Sequence, residues 1–89
     1  MEGLIMQKFL QDVNIGANLK KLREKKNLSQ NDMAVKLQLA GRSMSRAQYA
    51  HIEQGRRNIF VSDLILFKQI LNVNYEDFFR GLSPSPREE

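Results

Sequence analysis

Helix start signals recur along this chain, and each one is followed by a short amphipathic run. Serine and asparagine are preferred at the residue before a helix, because their side chains accept a hydrogen bond from a backbone N–H that has no partner within the helix. Such residues stand at Asn14, Ser29, Ser45, Ser62 and Asn74. No segment shows the sustained alternation of apolar and polar residues that is typical of strands, so the sequence predicts an all-α fold of five helices.

The predicted helices also carry buried stripes and stop signals. In the first helix, Ile15, Leu19 and Leu22 fall at positions i, i+4 and i+7 and therefore share one face. At the start of the second, Ser29 and Asp32 have the spacing of a capping box, with Asp in place of the usual Glu. Asparagine and glycine favour the left-handed conformation that ends a helix. They follow the apolar runs at Asn27, Gly55, Asn72 and Gly81.

The length and composition allow one small domain. Its 89 residues are 42% hydrophobic and include no cysteine, so we expect a core held by packing alone, without disulfides or thiolate-bound metal. We assign residues 14–81 to this domain and residues 82–89 to a disordered tail. Residues 1–13 form either a short helix, because Ile5, Phe9 and Val13 are spaced i, i+4 and i+8, or a flexible arm.

Positive charge is concentrated in the middle of the chain. The whole chain has a net charge of +4. Residues 14–60 contain ten basic and three acidic residues and the rest contains four basic and seven acidic ones, so the middle carries +7 and the remainder −3. A one-sided basic field attracts nucleic acid or an anionic membrane surface, and the alternative is an ordinary solubilising surface.

The third predicted helix presents an unusual face. At 100° per residue, its basic, polar and small residues fall together, whereas Tyr49 and Ile52 fall on the opposite side and are expected in the core. The residues of this face are Arg46, Ala47, Ala50, His51 and Gln54. Arginine can bond guanine bidentately, glutamine or histidine can reach base edges, and alanines allow close approach to the major groove. An ordinary solvated helix face is the alternative interpretation.

The order of the elements carries a family resemblance. A helix, a short tight helix, a connector and a helix with a polar exposed face follow one another, in the segments IGANLKKLREKKNLSQ (15–30) and SRAQYAHIEQGRR (45–57). Together they resemble the helix-turn-helix domain of phage Cro and repressor proteins, often called the XRE family. The apolar positions Leu64, Phe67, Leu71, Val73 and Phe78 are similar to the family's fourth and fifth helices. The resemblance covers residues 14–80 and implies a lambda-repressor-like fold.

The resemblance also implies site residues. Arg46, Ala47 and His51 match the positions that read bases, and Ser45 and Gln48 flank them. Gln30 is a candidate phosphate contact because of its family position. Polar and basic side chains at the end of the third helix and in loops can also bind the DNA backbone, and the candidates of this kind are Arg42, Gln54, Arg56 and Arg57. Arg23 and Glu53 match a pair that forms a structural salt bridge between the first and third helices.

One departure from the family lies between the second and third helices. The family joins them by a turn of about four residues, whereas the spacing from Gln30 to Glu53 implies about five extra residues around positions 39–43. We expect this insertion either to lengthen the second helix or to form a loop. In either case the angle between the two helices depends on how the insertion folds.

These observations lead to one main functional hypothesis. We expect a sequence-specific regulator of transcription that binds double-stranded DNA, a repressor acting as a homodimer on a two-fold operator, in the cytoplasm and associated with the nucleoid. Leu66 and Ile70, with Leu4, Ile5 and Phe9, could form the dimer interface or be buried within the monomer. A protein regulator is a further candidate partner.

Other classes fit the sequence less well. The second hypothesis is a helix-turn-helix module that binds a protein, like an antitoxin or an antirepressor target, with weak or no DNA binding. RNA or membrane-surface binding is disfavoured, because no aromatic stacking platform or lipid-facing basic helix is visible. We expect no enzyme, no cofactor and no metal site, since there is no phosphate loop, metal-ligand cluster or nucleophile with a base.

Overall fold

The computed structural model describes residues 8–9 and 14–84. In chain order the elements are β1 (Lys8–Phe9), α1 (Gly16–Lys25), α2 (Gln30–Leu39), α3 (Arg46–Glu53), β2 (Ile59–Phe60), α4 (Val61–Leu71) and a 3₁₀ helix (Tyr75–Phe78). The prediction of a mainly helical domain is confirmed over this part of the chain. The predicted fifth helix is a single 3₁₀ turn, because left-handed Gly81 closely follows it and leaves no room for further turns.

The helix starts follow from local side-chain chemistry. Ser29 Oγ accepts from the Asp32 N–H at 2.9 Å, and an Asp32 carboxylate oxygen accepts from the Ser29 N–H at 2.8 Å, which closes the predicted capping box. Asn14 Oδ1 accepts from the N–H of Gly16 at 2.6 Å, so the predicted cap of α1 acts on the first helical residue. These three hydrogen bonds satisfy backbone N–H groups that have no partner within the helices.

The predicted start of α4 at Ser62 is wrong. The helix already begins at Val61, and the Asp63 carboxylate accepts a hydrogen bond from the Phe60 N–H at 2.9 Å. Asp63 therefore stabilises the helix start from inside the first turn, by accepting the N–H of the residue that precedes the helix. A carboxylate at the third helical position also interacts favourably with the helix dipole.

A short strand pairing, which the sequence did not predict, is added to the all-α fold. Lys8 lies opposite Phe60 and Phe9 opposite Ile59 in an antiparallel ladder of two residues on each side. A ladder this short is below the length at which alternation is visible in a sequence. These two residues are extended rather than helical, and the rest of the predicted arm or helix at 1–13 lies outside the described residues. Of the predicted tail, residues 85–89 also lie outside them.

The core is built from all four α-helices. Tyr49 and Ile52 of α3 are fully buried, as the helical projection predicts. The Tyr49 ring meets the Phe67 ring of α4 edge to face, with centroids 6.0 Å apart. Among the residues that the structure describes, the other side chains with no exposed surface are Leu19, Met33, Leu37, Phe67, Leu71 and Phe78. Within residues 8–9 and 14–84, no helix is long and apolar enough to cross a membrane.

The packing of α1 against α3 depends on a glycine. A Cβ atom on Gly16 would overlap the backbone carbonyl oxygen of Glu53 at the end of α3. Only glycine lets the two backbones come this close. This contact fixes the position of α3, the helix that the sequence marks as functional, relative to the rest of the domain.

Candidate nucleic-acid interface

The N-terminus of α3 is held by a reciprocal pair of hydrogen bonds. Ser45 Oγ accepts from the Gln48 N–H at 3.0 Å, and Gln48 Oε1 accepts from the Ser45 N–H at 3.0 Å. Both residues are predicted to flank the base-reading positions, and here they form a capping box that fixes where the helix begins. The Nε2 group of Gln48 is not used in this pair, so base contact by Gln48 stays a prediction that is compatible with the cap.

The exposed face of α3 carries most of the predicted contact residues. Arg46 stands at the first helical position, and the first turn contains no acidic residue. The positive end of the helix dipole and the Arg46 guanidinium therefore act together, without a neutralising carboxylate in that turn. Arg46, Ala47, Gln48, His51 and Gln54 are exposed. The structure thus places the predicted set along one polar, basic and sterically small surface.

The opposite side of α3 is anchored by a buried ion pair. Arg23 Nε lies 2.6 Å from Glu53 Oε2, and Arg23 Nη2 lies 3.1 Å from Glu53 Oε1, so the contact is bidentate. The Arg23 and Glu53 side chains are 8% and 3% exposed. Arg23 Nη1 also donates to the carbonyl of Leu28 at 2.7 Å. These bonds tie α3 to α1, and they tie α1 to the loop that leads into α2.

This environment changes the ionisation of the buried groups. Burial opposes the charged form of Glu53, but the Arg23 hydrogen bonds and charge outweigh it, and the pKa of Glu53 is lowered. The Glu53 hydrogen bond in turn raises the pKa of Arg23. Burial, with the neighbouring Glu53 carboxylate, raises the pKa of Tyr49, so its hydroxyl stays neutral. That hydroxyl has no hydrogen-bond partner among the described residues.

Gln30 joins the same network. Its Nε2 group donates to Glu53 Oε1 at 3.0 Å, which connects the first residue of α2 to the last residue of α3. The side chain is therefore held in one orientation at the N-terminus of α2. An amide nitrogen carries two hydrogens, and the second is available for an external acceptor. Phosphate contact by Gln30 stays a prediction, with Glu53 as the group that positions it.

The insertion between α2 and α3 forms a loop, one of the two expected features. α2 reaches Leu39, and residues 40–45 form a loop in which Gly41 adopts a left-handed φ of 95°. The N–H of Arg42 donates to the Leu37 carbonyl at 2.8 Å, which closes the end of the helix. The linker is therefore an ordered turn that starts with a helix-terminating motif.

Arg42 has a structural partner that the sequence analysis missed. Its Nε lies 2.7 Å from Asp63 Oδ1, and its guanidinium carbon lies 5.6 Å from the centre of the Phe60 ring. Asp63 is 1% exposed and bonds Phe60 with its other oxygen, so one carboxylate fixes both the insertion and the start of α4. A charge already paired is a weaker phosphate ligand, and the predicted phosphate contact of Arg42 has no support from this geometry.

The remaining predicted phosphate contacts follow α3. Gln54 is the C-cap residue that follows α3, and Gly55, with a left-handed φ of 76°, directs the chain into the loop. The N–H of Arg56 donates to the His51 carbonyl at 2.8 Å, and its side chain is exposed. Arg57 is half-buried in the same loop. These residues lie next to the exposed face of α3, where basic loop side chains can reach a phosphate backbone.

The family comparison agrees with this architecture. Residues 14–77 match the family described as "Helix-turn-helix domain", and this chain belongs to that family. The match is consistent with the resemblance to the Cro and repressor type. Comparison with curated proteins and with solved structures gives no match. Within residues 8–9 and 14–84, no group of three or more histidines, aspartates or glutamates is placed to hold a metal ion.

Proposed function

We propose that this protein is a sequence-specific regulator of transcription that binds double-stranded DNA through the exposed face of α3. The observation that carries the proposal is the contrast between the two sides of this helix. Tyr49, Ile52 and Glu53 are buried and anchored, whereas Arg46 and His51 are exposed. A rigid helix with a small polar face is what entry into a major groove requires.

Several parts of the chain support DNA binding around α3. Arg46 is the strongest candidate for base contact, because an arginine at the start of the recognition helix can bond guanine bidentately. Gln30, Arg56 and Arg57 supply backbone contacts that set the register without reading sequence. The match to a helix-turn-helix domain family supports the DNA-binding part of the proposal.

The proposal includes a homodimer acting as a repressor on a two-fold operator. One recognition helix covers only a few base pairs, and two copies separated by one turn of DNA supply the missing specificity. Leu66 and Ile70 are half-buried and pack against the core, so they are weaker interface candidates. Leu4 and Ile5 lie outside the described residues, and the side chain of Phe9 is not described. The exposed apolar residues of α4 and the chain after it are better candidates: Ile65, Tyr75, Phe79 and Leu82.

Repression follows from occupancy, since a small bound domain can block polymerase without a separate effector domain. This role places the protein in the cytoplasm on the nucleoid, and it involves binding without catalysis, metal or cofactor. The alternative proposal is a helix-turn-helix module that binds a protein regulator and has weak or no DNA binding. Ala47 and half-buried Ala50 support this alternative, because they offer few polar groups to a base.

Binding measured by fluorescence polarisation separates the two proposals. The DNA would be duplex fragments from the protein's own locus, titrated against salt with a random duplex as competitor. A specific regulator should bind one fragment roughly 10³-fold or more tightly than the random duplex, and the affinity should fall steeply as salt rises. Binding that is equal for all sequences, or absent, would favour the protein-binding module.

A further inference from the structure

A groove lies on the side of α1 that faces the chain after α4. Its volume is about 600 Å³, within the range of known ligand sites. Asn18 of α1 fixes one wall, because its Nδ2 group donates to the carbonyls of Phe78 and Arg80, both at 2.9 Å. The groove is therefore formed by elements that are bonded to each other rather than by a loose surface.

The groove combines an apolar floor with excess positive charge. Leu22 and Val73 line it and are half-buried against the core. Its basic lining residues are Lys21, Lys25, Lys26 and Arg80, and its acidic one is Asp77. Arg80 is already paired with Asp77 at 2.6 Å. Within residues 14–84, none of the three lysines forms an ion pair, so they supply the unbalanced charge.

The type of cation indicates the type of anion. Lys21 and Lys25 are one helical turn apart, and Lys26 follows, so the charges are spread along the end of α1. This end is the C-terminus of a helix, whose dipole disfavours any anion there, and a doubly charged phosphate group more than a single carboxylate held further out on the lysines. The one arginine that lines the groove, Arg80, already binds Asp77 through Nη2, so one arm of its guanidinium fork is occupied and much of its charge is balanced. Separate carboxylates along a peptide match this arrangement better than a phosphate does.

We propose that the groove binds an acidic segment of a partner protein. An apolar side chain of the segment inserts between Leu22 and Val73, and its carboxylates contact Lys21, Lys25 and Lys26. The long aliphatic stems of the lysines extend the apolar floor while their ammonium groups reach the carboxylates. The proposal rests on the charge and shape of this groove and does not depend on the proposed function of α3.

The groove and the face of α3 are on different sides of the domain. On α1, the residues against α3 are Gly16, Leu19 and Arg23, whereas Lys21, Leu22 and Lys25 line the groove. On a helical projection these two sets are about 140° apart, so α1 lies between the groove and α3. An acidic partner in the groove would therefore leave the exposed face of α3 uncovered.

The test uses a fluorescein-labelled peptide of alternating leucine and glutamate pairs, titrated with the full-length protein. Lys21→Glu with Lys25→Glu reverses two groove charges, and Lys20→Glu with Lys36→Glu makes the same change in net charge at exposed positions outside the groove. The groove variant should have a dissociation constant for the peptide that is at least about tenfold higher than that of wild type. The control variant should raise the dissociation constant by less than about threefold. Amide NMR shifts on peptide addition should centre on Leu22 and Val73.

Four results would overturn the proposal. In the first, the wild-type protein shows no saturable binding of the peptide, and in the second, the groove and control variants lose peptide affinity equally. In the third, the amide shifts centre on α3. In the fourth, a peptide with serine in place of leucine binds as tightly as the original peptide. A fifth concerns nucleic acid: if the groove variant loses affinity for a random DNA duplex as strongly as for the peptide, while the control variant does not, the groove belongs to a DNA-backbone surface.

Discussion

Replacing Glu53 with glutamine removes the negative charge of the buried pair while nearly preserving the shape of the side chain. Arg23 is then left with its charge in a site that is 8% exposed, bonded only to neutral acceptors such as the Leu28 carbonyl. Breaking a buried pair by removing one partner costs about 3 to 5 kcal/mol. The glutamine oxygen keeps one acceptor for Arg23, so we expect a loss of about 3 kcal/mol in the free energy of unfolding.

Urea denaturation followed by circular dichroism measures this loss. A domain of this size has a total stability of about 5 to 15 kcal/mol, so the change is large but measurable. The double variant Arg23→Met with Glu53→Leu replaces both charges by apolar groups and should cost less than Glu53→Gln alone. A loss below about 1 kcal/mol for Glu53→Gln, or a double variant that costs more than Glu53→Gln alone, would refute the argument.

The same pair gives a dependence on pH with a definite sign. The pKa of Glu53 in the folded protein lies below its ordinary value of 4.5. A carboxyl with a lowered folded pKa contributes stability that is present above the ordinary pKa and is lost as the pH falls through the lowered one. The difference in stability between wild type and Glu53→Gln should therefore be largest near neutral pH and shrink below about pH 4. A difference that stays constant in acid would contradict the ion-pair explanation.

Three further substitutions test how α3 is positioned. Gly16→Ala forces a Cβ atom into the Glu53 carbonyl and should cost about 1 to 3 kcal/mol in urea denaturation; an unchanged midpoint would show that the helices can separate freely. Arg42→Ala leaves the Asp63 carboxylate buried without its cation and should cost about 1 to 3 kcal/mol, with faster hydrogen exchange in residues 40–45, whereas equal exchange rates would exclude an anchoring role. Ser45→Ala removes one half of the α3 cap and should cost about 0.5 to 2 kcal/mol in the same denaturation experiment, and no cost would mean that the cap contributes nothing.

The elements that the sequence predicted well are those with local causes. The capping box of Ser29 with Asp32 and the N-cap of α3 at Ser45 act within four residues of each other, so spacing in the chain determines their geometry. The left-handed residues Asn27 and Gly55 likewise act on the turn just before them. The helical period placed Tyr49 and Ile52 in the core for the same reason, because one helix face follows directly from residue number.

The features that the sequence did not predict depend on distant parts of the chain. The Asp63 carboxylate, rather than Ser62, stabilises the start of α4. The same carboxylate also binds Arg42 of the insertion, a contact across 21 residues. Gln30 bonds Glu53 across 23 residues, and a family position alone does not indicate that contact. The two-residue ladder between β1 and β2 carries no periodic signal. The sequence does hold one signal for the start of α4, because an aspartate next to a predicted N-cap, such as Asp63, can itself bind a backbone N–H at the helix start.

The central claim is that the exposed face of α3 reads DNA sequence, and comparison of two arginine variants tests it most directly. Fluorescence polarisation would measure the affinity of Arg46→Ala and of Arg56→Ala for the best-bound fragment and for a random duplex. Arg56 serves as the comparison because its side chain lies in the loop after α3. Arg46→Ala should lose about 1 to 3 kcal/mol on the specific site, with relaxed preference at one base pair and little change on the random duplex. Arg56→Ala should weaken both duplexes alike. Equal losses for Arg46→Ala on both duplexes would contradict base reading by α3.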